Sequence, residues 1–366
     1  MHVTLETKTF SEKLELVGRV STKHVTLPVL QCVLIEAKGN NVVLRTTNLE
    51  IGMETTMSAS VKEKGMIAVP AATLIQTTNL HTERDITLRV EDTTLVVEGS
   101  GSRSEIKSIP HEEFPTIPKL SGASQTFSGS LFALGIRSTA FAASQSSIKP
   151  ELGSIYVYQK KEHTLTFVTT DSFRLMEKTV PQKGVVFDHS VLIPQKNALE
   201  LARVCDVSDT DPVCRVDENQ LSFEFADGVY ITSRLTSGTF PDYAQIIPKE
   251  FATSATLLRD DLAHAFKKSA IFLNKFFQVR FHITEKGLTV SADSGEVGTT
   301  TDVVKAQVEG DELTLNFNQR YVAEALQHFA DDSLLLRFAG IGRPMVITGV
   351  NDGEGSMRYL VMPMNK

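Results

Sequence analysis

Val43-Leu44-Arg45-Thr46-Thr47-Asn48-Leu49-Glu50 reads as the end of a strand running into a turn. The same pattern returns as Phe167-Val168-Thr169-Thr170-Asp171-Ser172. It returns again as Leu288-Thr289-Val290-Ser291-Ala292-Asp293-Ser294. One such echo is cheap; three in order make an internal repeat.

Helical segments keep the same register. Phe10–Val20, Ser130–Ala143 and Leu258–Ala270 start 120 and 128 residues apart. Phe10, Leu14 and Val17 form one apolar stripe, as do Phe132, Ile136 and Ala140, and Leu262, Phe266 and Ala270. A second set, Val69–Leu80, Pro194–Cys205 and Asn318–Phe329, starts 125 and 124 residues apart. Pro70 and Pro194 fit first-turn positions, and Tyr321, Val322, Ala325, Leu326 and Phe329 give the clearest stripe. Between the helices the period changes to two, as in Ile86, Leu88 and Val90 or Leu221, Phe223 and Phe225. Lys38-Gly39-Asn40-Asn41, Ala226-Asp227-Gly228 and Glu285-Lys286-Gly287 punctuate the strands. Each unit is thus helix, strands, helix, strands, an α+β plan with helices on one face of antiparallel sheets. Glu113-Phe114-Pro115 and Thr239-Phe240-Pro241 mark the boundaries, giving domains 1–120, 121–250 and 251–366.

Composition narrows the function. With 41% hydrophobic and 22% charged residues the chain is of ordinary globular type. Cys32, Cys205 and Cys214 are odd in number and form no CxxC pair, so reduced buried thiols in a cytoplasmic protein are expected. The N-terminus lacks the pattern of a signal peptide, and no apolar run approaches the roughly 20 residues of a membrane helix.

Catalytic signatures do not emerge. There is no phosphate loop, Gly99-Ser100-Gly101-Ser102 reads as a strand connection, and the histidines have no metal-ligand spacing. Asp171-Ser172 lacks a nucleophile elbow. The acid pairs Asp260-Asp261 and Asp331-Asp332 read as helix-end or turn residues. No catalytic residues, metal or cofactor are expected.

Six stretches in order carry a resemblance over the whole length. They are Thr26-Leu27-Pro28-Val29-Leu30, Thr47-Asn48-Leu49-Glu50-Ile51, Glu113-Phe114-Pro115, Thr170-Asp171-Ser172-Phe173-Arg174-Leu175, Phe240-Pro241-Asp242-Tyr243 and Tyr359-Leu360-Val361-Met362-Pro363-Met364. Together they resemble the bacterial sliding-clamp family, the beta subunit of DNA polymerase III. The resemblance implies three repeated domains per chain and two chains joined head to tail as a ring. Helices would line the pore and antiparallel sheets would lie outside. It implies a non-catalytic processivity factor that encircles duplex DNA without reading its sequence.

Charge is compatible with that reading. The six helical segments hold nine basic residues (Lys13, Arg19, Arg137, Lys196, Arg203, Arg259, Lys267, Lys268 and Arg320) against six acidic ones. That surplus of three, in a chain of net charge −7, leaves −10 for the remainder. DNA-facing residues implied by the resemblance are Lys23, His24, Arg137, Lys196, Arg203, Lys267, Lys268 and Arg320. Solvated helix faces would look similar from sequence alone.

The resemblance further implies a groove between the second and third domains. It would take Gln-Leu-x-Leu-Phe-type peptides of polymerase subunits and the clamp loader. The matching positions are Leu152, Thr170, Arg174, Leu175, Pro241, Ile246, Tyr321, Leu360, Met362, Pro363 and Met364. Alternation sets Val361 toward the core and Leu360 and Met362 on the other side. Phe173 and Gln245 depart from the family's usual histidine and arginine, which leaves the peptide preference open. For the homodimer contact, Arg103, Glu105, Lys107 and Ile109 form an expected edge strand, and Ile271, Phe272 and Leu273 an apolar patch. A monomeric scaffold using only the groove, and a hydrolase centred on Asp171-Ser172, are the competing readings.

Overall fold

The turn after Thr47 is closed by its own side chains. Asn48 Oδ1 accepts from the amides of Glu50 and Ile51 at 3.0 and 2.9 Å, while Thr47 Oγ1 accepts from Leu49 N and donates to Ile51 O. The second echo reproduces this frame bond for bond. Asp171 Oδ1 accepts from Phe173 and Arg174, and Thr170 Oγ1 joins Ser172 N to Arg174 O. Leu49 and Ser172 occupy the left-handed region at φ 76° and 78°. That conformation is costly for L-residues, and the side-chain bonds hold it in place. The third echo keeps its strand, Gly287–Ser294, but turns differently. Val297 N bonds to Ser294 O, and Gly298 takes the positive φ.

This computed structural model describes residues 1–22, 26–183, 189–351 and 356–364. Among them are six α-helices: α1 (Thr7–Gly18), α2 (Ala71–Thr78), α3 (Gly129–Thr139), α4 (Gln195–Val207), α5 (Arg259–Ser269) and α6 (Gln319–Leu326). They fall on the six segments expected from apolar spacing, and Phe10, Leu14, Val17, Phe132, Ile136, Leu262 and Phe266 are all buried. Several ends differ. α3 tightens into a 3₁₀ turn over Ala140–Ala142, and Ala270, beyond α5, is exposed. Phe329 is buried but lies beyond α6. Pro70 and Pro194 are not first-turn residues; each ends a strand immediately before its helix, where fixed φ suits extended backbone. Gly135 lets α3 lie against the strand Thr164–Thr170, since a Cβ there would stand 2.4 Å from the Phe167 ring.

Two compact units emerge, residues 1–133 with 200–235 and residues 134–199 with 236–366. The first holds a five-stranded sheet and an eight-stranded sheet. In the latter, Val229–Arg234 of the second repeat pairs antiparallel with Ile51–Ser58 of the first. The second unit holds a four-stranded and a nine-stranded sheet. There Arg174–Pro181 of the second repeat pairs with Met357–Val361 of the third. Each repeat boundary is therefore bridged by a continuous ladder. Lys38–Asn41 and Thr284–Gly287 are closed hairpin pairs, at the expected turns. Cys32, Cys205 and Cys214 are buried free thiols, and burial pushes Cys32 up to about 11.

Candidate functional site

Cross-strand partners in a sheet share a face, so the ladder registers define a surface. Thr170 pairs with Leu175, Leu175 with Leu360, Leu360 with Val346, and Val346 with Arg337. Leu152, Leu175, Leu360 and Val346 join Val168, Leu192, Phe240 and Tyr243 in one buried apolar cluster. Val361, one residue from Leu360, belongs to the separate core of the third repeat. The alternation argument thus holds for this strand.

The segment after Phe240 lies over that face. The Phe240 ring stacks on Tyr156 at 4.8 Å, and Ile247 and Phe251 pack against the cluster. Tyr243 OH donates to buried Glu177 at 2.5 Å and meets Tyr158 OH at 2.7 Å, while Lys160 stands 3.5 Å from the other Glu177 oxygen. Burial, reinforced by the Glu177 charge, drives the Tyr243 hydroxyl far above its ordinary pKa. It remains a donor at any physiological pH.

Arg174 ties this face to α6. Nε donates to Asp171 at 2.9 Å, Nη1 to Glu324 at 2.6 Å, and Nη2 to the Phe141 carbonyl at 2.9 Å. Its guanidinium also lies 4.6 Å from the centre of the Tyr321 ring. Burial alone would favour the neutral form; the bond to Glu324 and the nearby acids outweigh it, so the cation is held more firmly than in free arginine. Asp171 is consumed by the turn and by Arg174. It therefore serves this joint, and the hydrolase reading centred on Ser172 gains no support from it. His328 stacks face to face on Phe141 at 4.2 Å, and burial lowers its pKa despite Glu324.

The expected groove residues therefore come together in graded fashion. Leu152, Leu175, Leu360 and Thr170 are buried, Tyr321 is half-buried, and Pro241 is exposed. Met362 is 38% exposed and donates its amide to Phe173 O; Met364 N bonds to Asn316 O, and Pro363 is half-buried between them. Ile246 is 51% exposed, and its neighbour Ile247 makes the packing contact. Val346, Phe240, Tyr243 and Tyr156 were not among the sequence candidates. Phe240 and Tyr243 stand inside a quoted motif, and period-two alternation would have flagged Val346.

Lys23 and His24 lie outside the described residues. Arg137, Lys196, Lys267 and Arg320 are exposed on their helices. Arg203 is half-buried and engaged, with Nε on Glu200 at 3.0 Å beside Arg19. Burial opposes ionisation of Glu200, but the two arginines outweigh it and lower its pKa. Lys268 pairs with Asp302 at 2.6 Å, and Arg320 lies 3.4 Å over the Phe277 ring.

Ser102–Lys107 is the edge strand of the five-stranded sheet, with Arg103, Glu105 and Lys107 exposed. Arg103 is already paired with Glu91 and Glu105. Ile109 does not continue that strand; it turns inward to bridge Ala68 and packs with the cluster around Val29, because its side chain finds apolar cover there. Ile271 is exposed, whereas Phe272 and Leu273 pack partly against the core of the third repeat. Gly298–Val304 is an edge strand of the four-stranded sheet, and its outward Val303 was missed.

Family comparison extends these observations to the whole chain. Residues 1–118 match the N-terminal domain of the DNA polymerase III beta subunit, 126–242 the central domain and 244–365 the C-terminal domain. A beta sliding clamp homolog, GriR, of Streptomyces muensis is 25% identical over 370 residues, covering 100% of this chain and 99% of the relative. The beta sliding clamp of Synechococcus elongatus is 27% identical, with 96% of each chain covered. A DNA polymerase sliding clamp from Pseudomonas aeruginosa, in a crystal structure with ligand, superposes with a TM-score of 0.93 at 25% identity over 100% of both chains. The clamp of that organism bound to griselimycin gives 0.93 at 26%, again over 100% of both. Three domain matches in the family's own order, spanning nearly the whole sequence, make this chain a member of the bacterial sliding-clamp family, the beta subunit of DNA polymerase III.

Proposed function

We propose that this chain is a replication clamp that works in the cytoplasm. Two copies close head to tail around duplex DNA, and polymerase subunits and the clamp loader attach by Gln-Leu-x-Leu-Phe-type peptides. The carrying observation is the exposed apolar pair Ile246 and Met362, set beside the buried row Leu175, Leu360 and Val346. A peptide's leucine and aromatic anchors suit such an apolar rim, and methionine adapts to their shape. The Pseudomonas relative is bound to griselimycin in its crystal structure, which supports a ligand site on a clamp of this fold. Repeats at 1–120, 121–250 and 251–366 form the six lobes of the ring.

The chain performs no catalysis; its family is a non-catalytic subunit of the polymerase holoenzyme. Exposed Arg137, Lys196, Lys267 and Arg320 attract phosphate, with Lys23 and His24 assigned the same role from sequence. Arg203 and Lys268, already paired within the chain, contribute less. Dimerisation joins the Ser102–Lys107 edge of one copy to the Gly298–Val304 edge and Ile271 of the other.

Negative-stain electron microscopy of the purified protein tests the ring, six lobes around a hole being the expected image. Fluorescence anisotropy with a labelled Gln-Leu-x-Leu-Phe peptide tests the groove. Open three-lobed particles would overturn the ring, and a flat titration would overturn the groove.

A further inference from the structure

The turn frames at the two repeat joints dock in the same way but present different chemistry. At the first joint, Arg234 N donates to Glu50 O at 2.8 Å; at the second, Met362 N donates to Phe173 O at 2.8 Å. The amides of Glu50 and Phe173 are held as well, by Asn48 Oδ1 at 3.0 Å and Asp171 Oδ1 at 2.9 Å. Each residue is thus fixed at both of its backbone groups.

Because the scaffold is shared, it does not dictate the side chains. The first joint carries a carboxylate and a guanidinium, Glu50 and Arg234, both exposed. The second carries an aromatic ring and a thioether, with Phe173 61% exposed and Met362 38%. Charge is what water favours at such a place. A phenylalanine ring there leaves apolar area in solvent, which a ligand would cover with a gain in free energy. Its backbone is already fixed, so little freedom is lost when that happens.

Other ligands have other surfaces. DNA is assigned to the helices, and the second copy to the edge strands Ser102–Lys107 and Gly298–Val304. Phe173 lies on none of these; it stands in the turn between Thr164–Thr170 and Arg174–Pro181, bonded to Met362 of the proposed peptide rim. Continuity with that rim makes the partner peptide its occupant. An aromatic residue suits the pair, because rings pair in offset or edge contacts and a methionine sulfur favours aromatic neighbours.

We infer that Phe173 is a specificity-determining residue of the peptide site, receiving with Met362 an aromatic side chain that flanks the apolar core of the partner peptide. This rests on the peptide-site reading above. The first joint, with Glu50 and Arg234 in these places, offers no such contact.

The test uses the full-length protein and fluorescein-labelled peptides with a Gln-Leu-x-Leu-Phe core, extended by tyrosine or by alanine at one end or the other. Anisotropy should show one tyrosine-extended peptide binding about fivefold tighter than its alanine counterpart. The gap should hold as salt rises, since no charge carries it. In Phe173→Ala the two peptides should bind alike, in Phe173→Leu part of the gap should remain, and Glu50→Ala should leave it intact. Equal binding of the two peptides at both ends, by protein that binds the core, would overturn the role of Phe173 alone. A gap that survives Phe173→Ala, or one that salt abolishes, would do the same. Failure of the core peptide to bind would overturn the peptide site and this role together.

Discussion

Arg174 Nη1 donates to Glu324 Oε2 at 2.6 Å, joining the second repeat to α6 of the third across 150 residues of sequence. The two partners differ in setting, since the Arg174 side chain is 9% exposed and that of Glu324 47%. Truncating them should have unequal consequences. Arg174→Ala strands Asp171 and the Phe141 carbonyl and should cost about 3 kcal/mol of stability. Glu324→Ala removes a solvent-screened partner and should cost under about 1 kcal/mol. Urea unfolding of the two variants measures the difference; equal costs would contradict the asymmetric role given to Arg174.

Tyr243→Phe deletes the donor to Glu177 while keeping the ring. A buried carboxylate oxygen loses its partner, so a loss of about 1–3 kcal/mol is expected. Because Tyr243 and the exposed Ile246 share one 3₁₀ turn, affinity for the core peptide should fall with it. Thermal unfolding and anisotropy on the same sample separate this from a purely local effect, in which peptide binding would not change.

Ile246→Asp and Met362→Asp act on exposed rim positions and should leave the melting temperature close to wild type. Peptide affinity should fall more than tenfold, as for charge placed in an apolar contact. Unchanged affinity would place the peptide elsewhere.

His328 supplies a pH prediction. Its pKa is lowered in the folded chain by burial, so the unfolded chain binds more protons as pH falls through the ordinary histidine range near 6.5. The contribution is therefore present above that range and lost below it. Stability should decline from pH 7 toward pH 5, and His328→Gln should flatten that part of the curve. An identical slope in the variant would remove His328 as the cause.

Charge reversal separates free from engaged cations. Lys196→Glu and Lys267→Glu should weaken DNA retention and reduce its salt dependence. Arg203→Ala, which breaks the pair with Glu200, should affect thermal stability more than DNA retention. Filter binding across a salt series, beside melting curves, reads both.

Much of this was legible in the sequence because it is local. The stripes Phe10-Leu14-Val17 and Leu262-Phe266, and the Thr170-Asp171 turn, are fixed by residues within a few positions of each other. The groove candidates Leu175 and Leu360 came from a family resemblance, and the ladder register places them side by side. What escaped depends on distant partners. Nothing near Glu177 foretells Tyr243, 66 residues away. Nothing near Ile109 foretells Ala68, whose bridge turns that residue away from the edge strand. The left-handed turn was cheap to repeat twice, but the third copy uses glycine, so matching letters hid a different backbone.

The ladder between Arg174–Pro181 and Met357–Val361 has a mechanical consequence. Five consecutive residue pairs cross that repeat boundary. A polymerase tugging on the proposed groove along the strand direction would load all of those bonds together, in shear, because they lie perpendicular to the strands. Unzipping would break them one at a time. At the proposed groove, a moving enzyme would thus pull on its tether where the sheet resists pulling in parallel.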